Sequence, residues 1–155
     1  MPMRWLDVPY LSQSEPGGCL GACAAMVLAY LEQPALQEDV ARQIGAHPFG
    51  VPAPNILRLA AWGLEVRYGE GSLDELSAAL ASGSAPIVFV RTSELPYWRE
   101  DTPHALVLVG LDAAHAYVLD PAYSDEIPVA VALGDFLLAW SHFDQAYALI
   151  LKHSS

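Results

Sequence analysis

Apolar and polar positions repeat with different periods along this chain, and each change of period marks an element. Trp5 to Tyr10 reads as a short strand or extended segment ending at Pro9, and Leu11 to Gly18 has the Ser, Pro and Gly content of a loop. From Cys19 to Leu31 the chain is uncharged and rich in Ala, Leu, Met, Val and Cys, which predicts a buried helix too long for an ordinary strand. Gln33-Pro34 breaks it. Ala35 to Ile44 then sets Leu36, Val40 and Ile44 four apart, with Gln37, Glu38, Asp39 and Arg42 on the other face, the pattern of an amphipathic surface helix. After a Pro- and Gly-rich stretch, Gly45 to Pro54, Asn55 is placed to cap a helix carrying Ile56, Leu59 and Ala60 and stopped by Gly63. Leu64 to Tyr68 follows as a short strand.

Ser72 with Glu75 three residues later matches a capping box, opening a helix with Leu73, Leu76 and Leu80 that ends near Gly83. Beyond it the pattern changes to β-branched and apolar runs separated by turn residues: Pro86 to Arg91, Ala105 to Leu111, Ala116 to Leu119, Val129 to Ala132 and Tyr147 to Leu151. Asp135 to Trp140 reads as one short helix between the last two strands, and Ser154 and Ser155 as a frayed tail. Helices first and an antiparallel sheet later predict an α+β domain with two segregated layers.

Composition narrows the function classes. The chain has 155 residues, 54% of them apolar and 16% charged, enough apolar surface for one core and one domain. Its net charge of −11 argues against nucleic acid and anionic membrane as partners, since both need clustered cations. The longest apolar runs, Ala22 to Leu31 and Ala105 to Val109, fall well short of the ~20 residues that span a bilayer. The first ten residues lack the cationic and apolar regions of a secretory signal, and two cysteines are few for a disulfide scaffold, which together predict a cytoplasmic protein with reduced thiols.

Those two cysteines differ in setting. Cys19 begins a helix after Gly17-Gly18, where the dipole and free N–H groups stabilise a thiolate; Cys23 lies one turn inside among Ala, Met and Val, where a thiol behaves as a small hydrophobe. A thiolate needs a base. His104 opens the most apolar strand directly after a polar loop, and Asp120 ends the following strand, so a hairpin brings the two side by side and makes a Cys, His, Asp triad. The plain alternatives are a buried structural thiol and a structural His–Asp pair. His47, His115, His142 and His153 lack matching partners and read as surface or loop residues. Cys19 and Cys23 are not spaced as a zinc ligand pair with a second pair to complete it, so neither metal nor cofactor is expected.

At this point the chain resembles the bacteriocin-processing peptidase family, papain-like cysteine peptidases that trim leader peptides. Gln13, Cys19, Ala22, Cys23, Ala25 and Met26 look like its nucleophile motif, and "HALVLVGLDAAHAYVLDPA", His104 to Ala122, resembles its His-led strand followed by Asp-Pro. Segments "SLDELSAALASGSAPIVFV" and "FLLAW" look like connecting pieces of stand-alone relatives. The resemblance implies a papain-like fold with N-terminal helices packed on a C-terminal antiparallel sheet. It also implies roles: Cys19 as nucleophile, His104 as general base, Asp120 as its orienter and Gln13 as side-chain donor of the oxyanion hole. The substrate would be a peptide or protein. Leu20 stands where the family usually has Gly, and Gly18 where a polar residue is common. Gly18, Tyr97 and Trp98 are the candidate substrate-binding residues, the two aromatics either lining the cleft or anchoring their loop. Two other readings stay open: a papain-like module that binds peptides without turnover, and an acyl- or peptidyl-transferase on the same triad. The oligomeric state is left open.

Overall fold

The computed structural model describes residues 5–152. Helix α1 (Cys19–Tyr30) forms where the sequence has no charge, and every residue from Leu20 to Leu28 is buried. α2 (Gln37–Ile44) follows, burying Val40 and Ile44 of its apolar stripe. Ala53–Trp62 is a 3-10 helix entered at Pro52, and Asn55 does not cap it as expected. Its amide nitrogen instead donates to the Ile44 carbonyl at 2.9 Å, satisfying one of the orphan acceptors at the end of α2. The helix does end at Gly63.

Strand β1 (Glu65–Glu70) and helix α3 (Leu73–Ala81) come next. The Ser72 hydroxyl accepts from the Glu75 N–H at 3.2 Å, which is half of the expected capping box; the Glu75 carboxylate turns away to accept from the Tyr147 hydroxyl at 3.0 Å. The remaining elements are β2 (Ile87–Arg91), β3 (Pro103–Leu111), β4 (His115–Leu119), β5 (Val129–Ala132), α4 (Leu133–Ser141) and β6 (Ala146–Leu151). All six strands pair antiparallel in one sheet, in the order β1-β6-β2-β3-β4-β5. The class is α+β, as the residue pattern implies. Ser154 and Ser155 lie outside the described residues.

The expected two layers are in fact three. Ile87, Phe89, Ala105 and Val107 pack with Cys23, Met26 and Val27 of α1, whereas Val88, Val90, Leu106 and Leu108 pack with Leu76 of α3 and Phe136 and Trp140 of α4. A sheet covered on both faces needs apolar residues at every position of its central strands, which is why β2 and β3 read as unbroken apolar runs. α1 already occupies one face, so the helices between later strands close over the other. Of the two readings of Trp5 to Tyr10, short strand or extended segment, the structure shows the second, outside the sheet. It is tied down where the Leu6 N–H donates to the Val109 carbonyl at 2.9 Å.

Val109 marks a β-bulge. Val107 pairs with Leu119 and Leu108 with Val118, but Gly110 pairs with Tyr117 and Leu111 with Ala116, so β3 carries one residue without a partner in β4. A one-residue shift moves side chains to the opposite face. Continued past Leu119, the shifted register sets Asp120 opposite Leu106, on the face His104 shares.

Candidate active site

Cys19 occupies the first turn of α1, ahead of which no side chain caps the free N–H groups and no acidic residue offsets the dipole. The two glycines before it are required by close approach. Gly17 has φ of 76°, and a Cβ there would lie 2.5 Å from the Pro48 carbonyl oxygen; one on Gly18 would lie 2.9 Å from that of Glu15. Burial pushes the Cys19 thiol up, but a hydrogen bond and charge from His104, aided by the N–H groups of Ala105 and Leu20, outweigh it and hold the thiol below its ordinary value. Cys23 is fully buried, and desolvation with the nearby charges of Cys19 and Asp120 drives it well above that value. Leu20 buries its side chain in the core beneath α1.

His104 is 7% exposed and Asp120 is not exposed at all. His104 Nε2 lies 2.7 Å from Asp120 Oδ1, leaving the other ring nitrogen for Cys19. Burial would depress the imidazole, but its bonds to Asp120 and Cys19 raise it to about 9. Burial likewise acts against the Asp120 anion, yet His104, Trp98 and Tyr97 together keep the carboxyl below its ordinary value. Asp120 Oδ1 also accepts from the Ala122 N–H at 2.9 Å, and Oδ2 accepts from the Tyr97 hydroxyl at 2.7 Å and the Trp98 indole N–H at 2.8 Å. The Tyr10 hydroxyl donates to the Asp120 backbone carbonyl at 2.7 Å. Such an arrangement favours a thiolate–imidazolium pair at neutral pH.

Gln13 sits beside this cluster, its backbone N–H donating to the Pro121 carbonyl at 2.8 Å. Its Nε2 donates to the Glu15 carbonyl at 3.2 Å, and its buried Oε1 has no partner. Gln37, which the sequence pattern placed on the solvent face of α2, clasps the loop on both sides of Gln13. Its Nε2 donates to the Ser12 carbonyl at 2.7 Å while its Oε1 accepts from the Ser14 N–H at 3.2 Å. Only the tertiary fold brings α2 to this loop, so no sequence signal marks Gln37.

A cleft of about 460 Å³ opens over Cys19 and His104, walled by the apolar side chains of Phe49, Val51, Phe89 and Phe143. Phe49, 95% exposed, stands at its rim on a tight turn closed between His47 and Gly50. The candidate substrate-binding residues Gly18, Tyr97 and Trp98 stand outside the lining of this cleft. Gly18 lines a separate groove behind the loop, because its role is the close approach to Glu15. Tyr97 and Trp98 do not line the cleft either: their polar atoms are drawn to the buried Asp120 carboxylate, the strongest acceptor within reach. His47 is a loop residue, as expected, that borders the cleft; His142 pairs with Glu94 at 3.2 Å on the surface, His115 opens β4, and His153 lies outside the described residues. Among the described residues no three His, Cys, Asp or Glu side chains gather as a metal site, and no helix is long and apolar enough to cross a membrane.

Residues 5–149 match the model of the peptidase C39-like family. Solved structures share the fold. A Bacillus anthracis protein described as a C39-like peptidase superposes with a TM-score of 0.79 at 20% identity, over 96% of each chain. A double glycine motif protease from an AMS/PCAT transporter, solved in complex with the leader peptide, gives 0.73 at 22% identity, covering 98% of this chain and 100% of that one. The peptidase domain of Streptococcus ComA, a bifunctional ABC transporter of a quorum-sensing pathway, gives 0.71 at 16%, covering 92% and 97%. A comparison with curated proteins gives no match.

Proposed function

The chain belongs to the peptidase C39-like family and is a cysteine peptidase, and from that premise we propose that Cys19, His104 and Asp120 are its catalytic triad, acting on peptide substrates through an acyl-enzyme. The observation that carries this reading is the continuous chain of contacts from the Cys19 thiol through the His104 ring to the buried Asp120 carboxylate, opening onto an apolar cleft. The Cys19 thiolate attacks the substrate carbonyl carbon, and the oxyanion that forms is held by the Cys19 backbone N–H and the Gln13 amide. That role asks Gln13 Nε2 to leave the Glu15 carbonyl and turn toward the substrate.

His104 gives its proton to the departing amine, so the C–N bond breaks and a thioester remains. The neutral imidazole then takes a proton from water, whose oxygen attacks the thioester, and the acid leaves with Cys19 as thiolate and His104 again protonated. Asp120 stays ionised throughout and keeps the ring in one tautomer and orientation. The protein needs no cofactor for these steps. One domain spanning 1–155 and a cytoplasmic setting fit this reading.

The apolar walls suit an extended peptide with apolar side chains near the scissile bond, and a fold relative bound to a leader peptide supports leader processing as the substrate class. The test is a covalent peptide-aldehyde or chloromethyl-ketone probe ending in Gly-Gly, with mass mapping of the adduct and of cleavage in a panel of leader peptides. Adduct on Cys19 and cleavage after Gly-Gly support the whole reading. Adduct without cleavage keeps Cys19 as the nucleophile and rejects double-glycine leaders as the substrate class.

A further inference from the structure

Asp120 is an ion with no exposure to solvent, and its own hairpin supplies only part of what holds it. Oδ1 takes His104 Nε2 and the Ala122 N–H, both from within the β3–β4 hairpin and its turn. Oδ2 receives nothing from that hairpin; both of its donors come from the loop between β2 and β3, the Tyr97 hydroxyl at 2.7 Å and the Trp98 indole at 2.8 Å. A buried carboxylate oxygen lacking these donors would carry most of its desolvation cost uncompensated.

The loop is built to deliver them. Thr92, fully buried, accepts from the Thr102 N–H at 2.9 Å and donates to the Glu100 carbonyl at 2.6 Å, which closes the two ends of the segment together. Leu95 is buried between them, and the Tyr97 ring packs on Tyr123 with centroids 4.6 Å apart. The Trp98 ring lies 4.8 Å from the His104 ring, so the same residue that bonds the acid also packs against the base.

We propose that Tyr97 and Trp98 are positioning residues of the peptidase, which hold Asp120 as an anion and set its carboxylate plane so that Oδ1 faces His104. The inference rests on the triad reading above. It removes both aromatics from substrate recognition and gives the loop a reason to be tightly pinned. The titratable groups that face Asp120 are His104 and Tyr97 at its carboxylate, Tyr10 at its backbone carbonyl, and Cys23 from α1. Burial and the Asp120 charge hold Tyr97 protonated far above the working range, and Cys23 is also held neutral, so neither exchanges protons with the site there.

Loss of a donor to Oδ2 makes Asp120 easier to protonate. A protonated Asp120 no longer anchors the imidazolium, and the Cys19 thiolate then takes up a proton. The acid limb of thiolate reactivity must therefore move to higher pH, by on the order of one pH unit for each donor lost.

The experiment is the rate of Cys19 alkylation by iodoacetamide as a function of pH, read by mass mapping, in the wild-type chain and in Tyr97→Phe, Trp98→Phe and Tyr123→Phe, each with its melting temperature. The expected result is a raised acid midpoint in the first two and an unmoved one in Tyr123→Phe, which alters the ring packed on Tyr97 but leaves both Oδ2 donors, and its own backbone N–H bond to the Asp120 carbonyl, in place. A folded Tyr97→Phe chain with the wild-type midpoint overturns the proposal, as does an equal shift in Tyr123→Phe. If wild-type Cys19 reacts only with the midpoint of an ordinary thiol, the triad reading itself fails, a result separable from the other two.

Discussion

His104 and Asp120, sixteen residues apart in the chain, share a 2.7 Å hydrogen bond on one face of the sheet because β3 carries one residue more than β4 between them. The extra residue, Val109, shifts the pairing of the two strands by one. The Leu6 N–H takes up the Val109 carbonyl, so the N-terminal segment helps to fix the bulge. The geometry of the proposed triad thus depends on strand register as well as on the three side chains.

Asp120→Asn keeps the size of the side chain but removes the charge that, together with Cys19, raises His104 to about 9. The expected outcome is turnover lowered by roughly 10²-fold or more, with Cys19 still alkylated, only more slowly at neutral pH. His104→Ala should remove both turnover and fast alkylation, and the double variant should be no worse than His104→Ala. Independent, multiplying effects in steady-state kinetics would show that the two residues do not act as one unit.

The two cysteines should separate cleanly. Cys19 has the helix terminus and His104 to stabilise its thiolate, whereas Cys23 is buried and held far above its ordinary value. Timed iodoacetamide labelling near neutral pH should modify Cys19 at least ~10²-fold faster in the native chain, with the rates converging in denaturant. Comparable native rates would remove the basis for Cys19 as nucleophile.

Much of this was legible in the residues themselves. An uncharged run of high helix propensity that is too long for an ordinary strand reads as a buried helix, so α1 and the position of Cys19 at its start follow from the residues, and Ser72 with Glu75 marks α3 closely. The His104–Asp120 proximity is also readable from hairpin length, although the bulge that sets their shared face is not, because an added Val in an apolar strand leaves no trace in the pattern. Similarly, nothing in the polar face of α2 distinguishes Gln37, which grips the Gln13 loop, from Glu38, which faces outward. Tyr97 and Trp98 read equally as cleft or loop residues, and only the position of a buried carboxylate decides between the two.

Gln13 carries an unpartnered buried Oε1 and a 3.2 Å bond from Nε2 to Glu15, an amide whose present contacts are incomplete. If it supplies the oxyanion donor, Gln13→Ala should lower kcat by roughly 10²-fold with little change in KM, and Gln37→Ala should show a weaker effect of the same kind. A change confined to KM would make Gln13 a ground-state binding residue.

Gly17→Ala tests the loop ahead of the nucleophile. The substitution meets a positive φ of 76° and places a methyl 2.5 Å from the Pro48 carbonyl, on rigid backbone. It should cost about 1–3 kcal/mol in urea unfolding and slow Cys19 alkylation, since the turn that delivers Cys19 must open. Gly50→Ala also lies at positive φ, 109°, but nothing stands within 4 Å of its Cβ, so it should cost less. Equal losses would mean that backbone conformation alone, and not the contact with Pro48, decides the effect.

The last prediction concerns stability against pH, where Cys19 and His104 act in opposite senses. His104 rises from 6.5 to about 9 on folding, so alone it stabilises the fold fully below pH 6.5 and loses that contribution as pH climbs through about 9. Cys19 is lowered from its ordinary 9.0, so alone it stabilises the fold above pH 9 and loses that contribution as pH falls through its folded value. Where the pH lies above both 6.5 and the folded value of Cys19, and below about 9, the folded pair is imidazolium with thiolate and the unfolded pair is neutral imidazole with thiol. Each state then holds one proton, and the pair gives no slope of stability with pH. Cys19→Ala breaks this balance: folded His104, still raised by Asp120, keeps a proton that the unfolded chain has released. Unfolding free energy of the variant, measured in urea at intervals from pH 6 to 9, should therefore fall relative to wild type by up to about 1.4 kcal/mol per pH unit once the pH exceeds both 6.5 and the folded value of Cys19. The fall should level off below pH 9, because the variant imidazole has lost the share of its shift that Cys19 supplied. Parallel curves for the two proteins across that interval would mean that no thiolate–imidazolium pair exists in the resting peptidase.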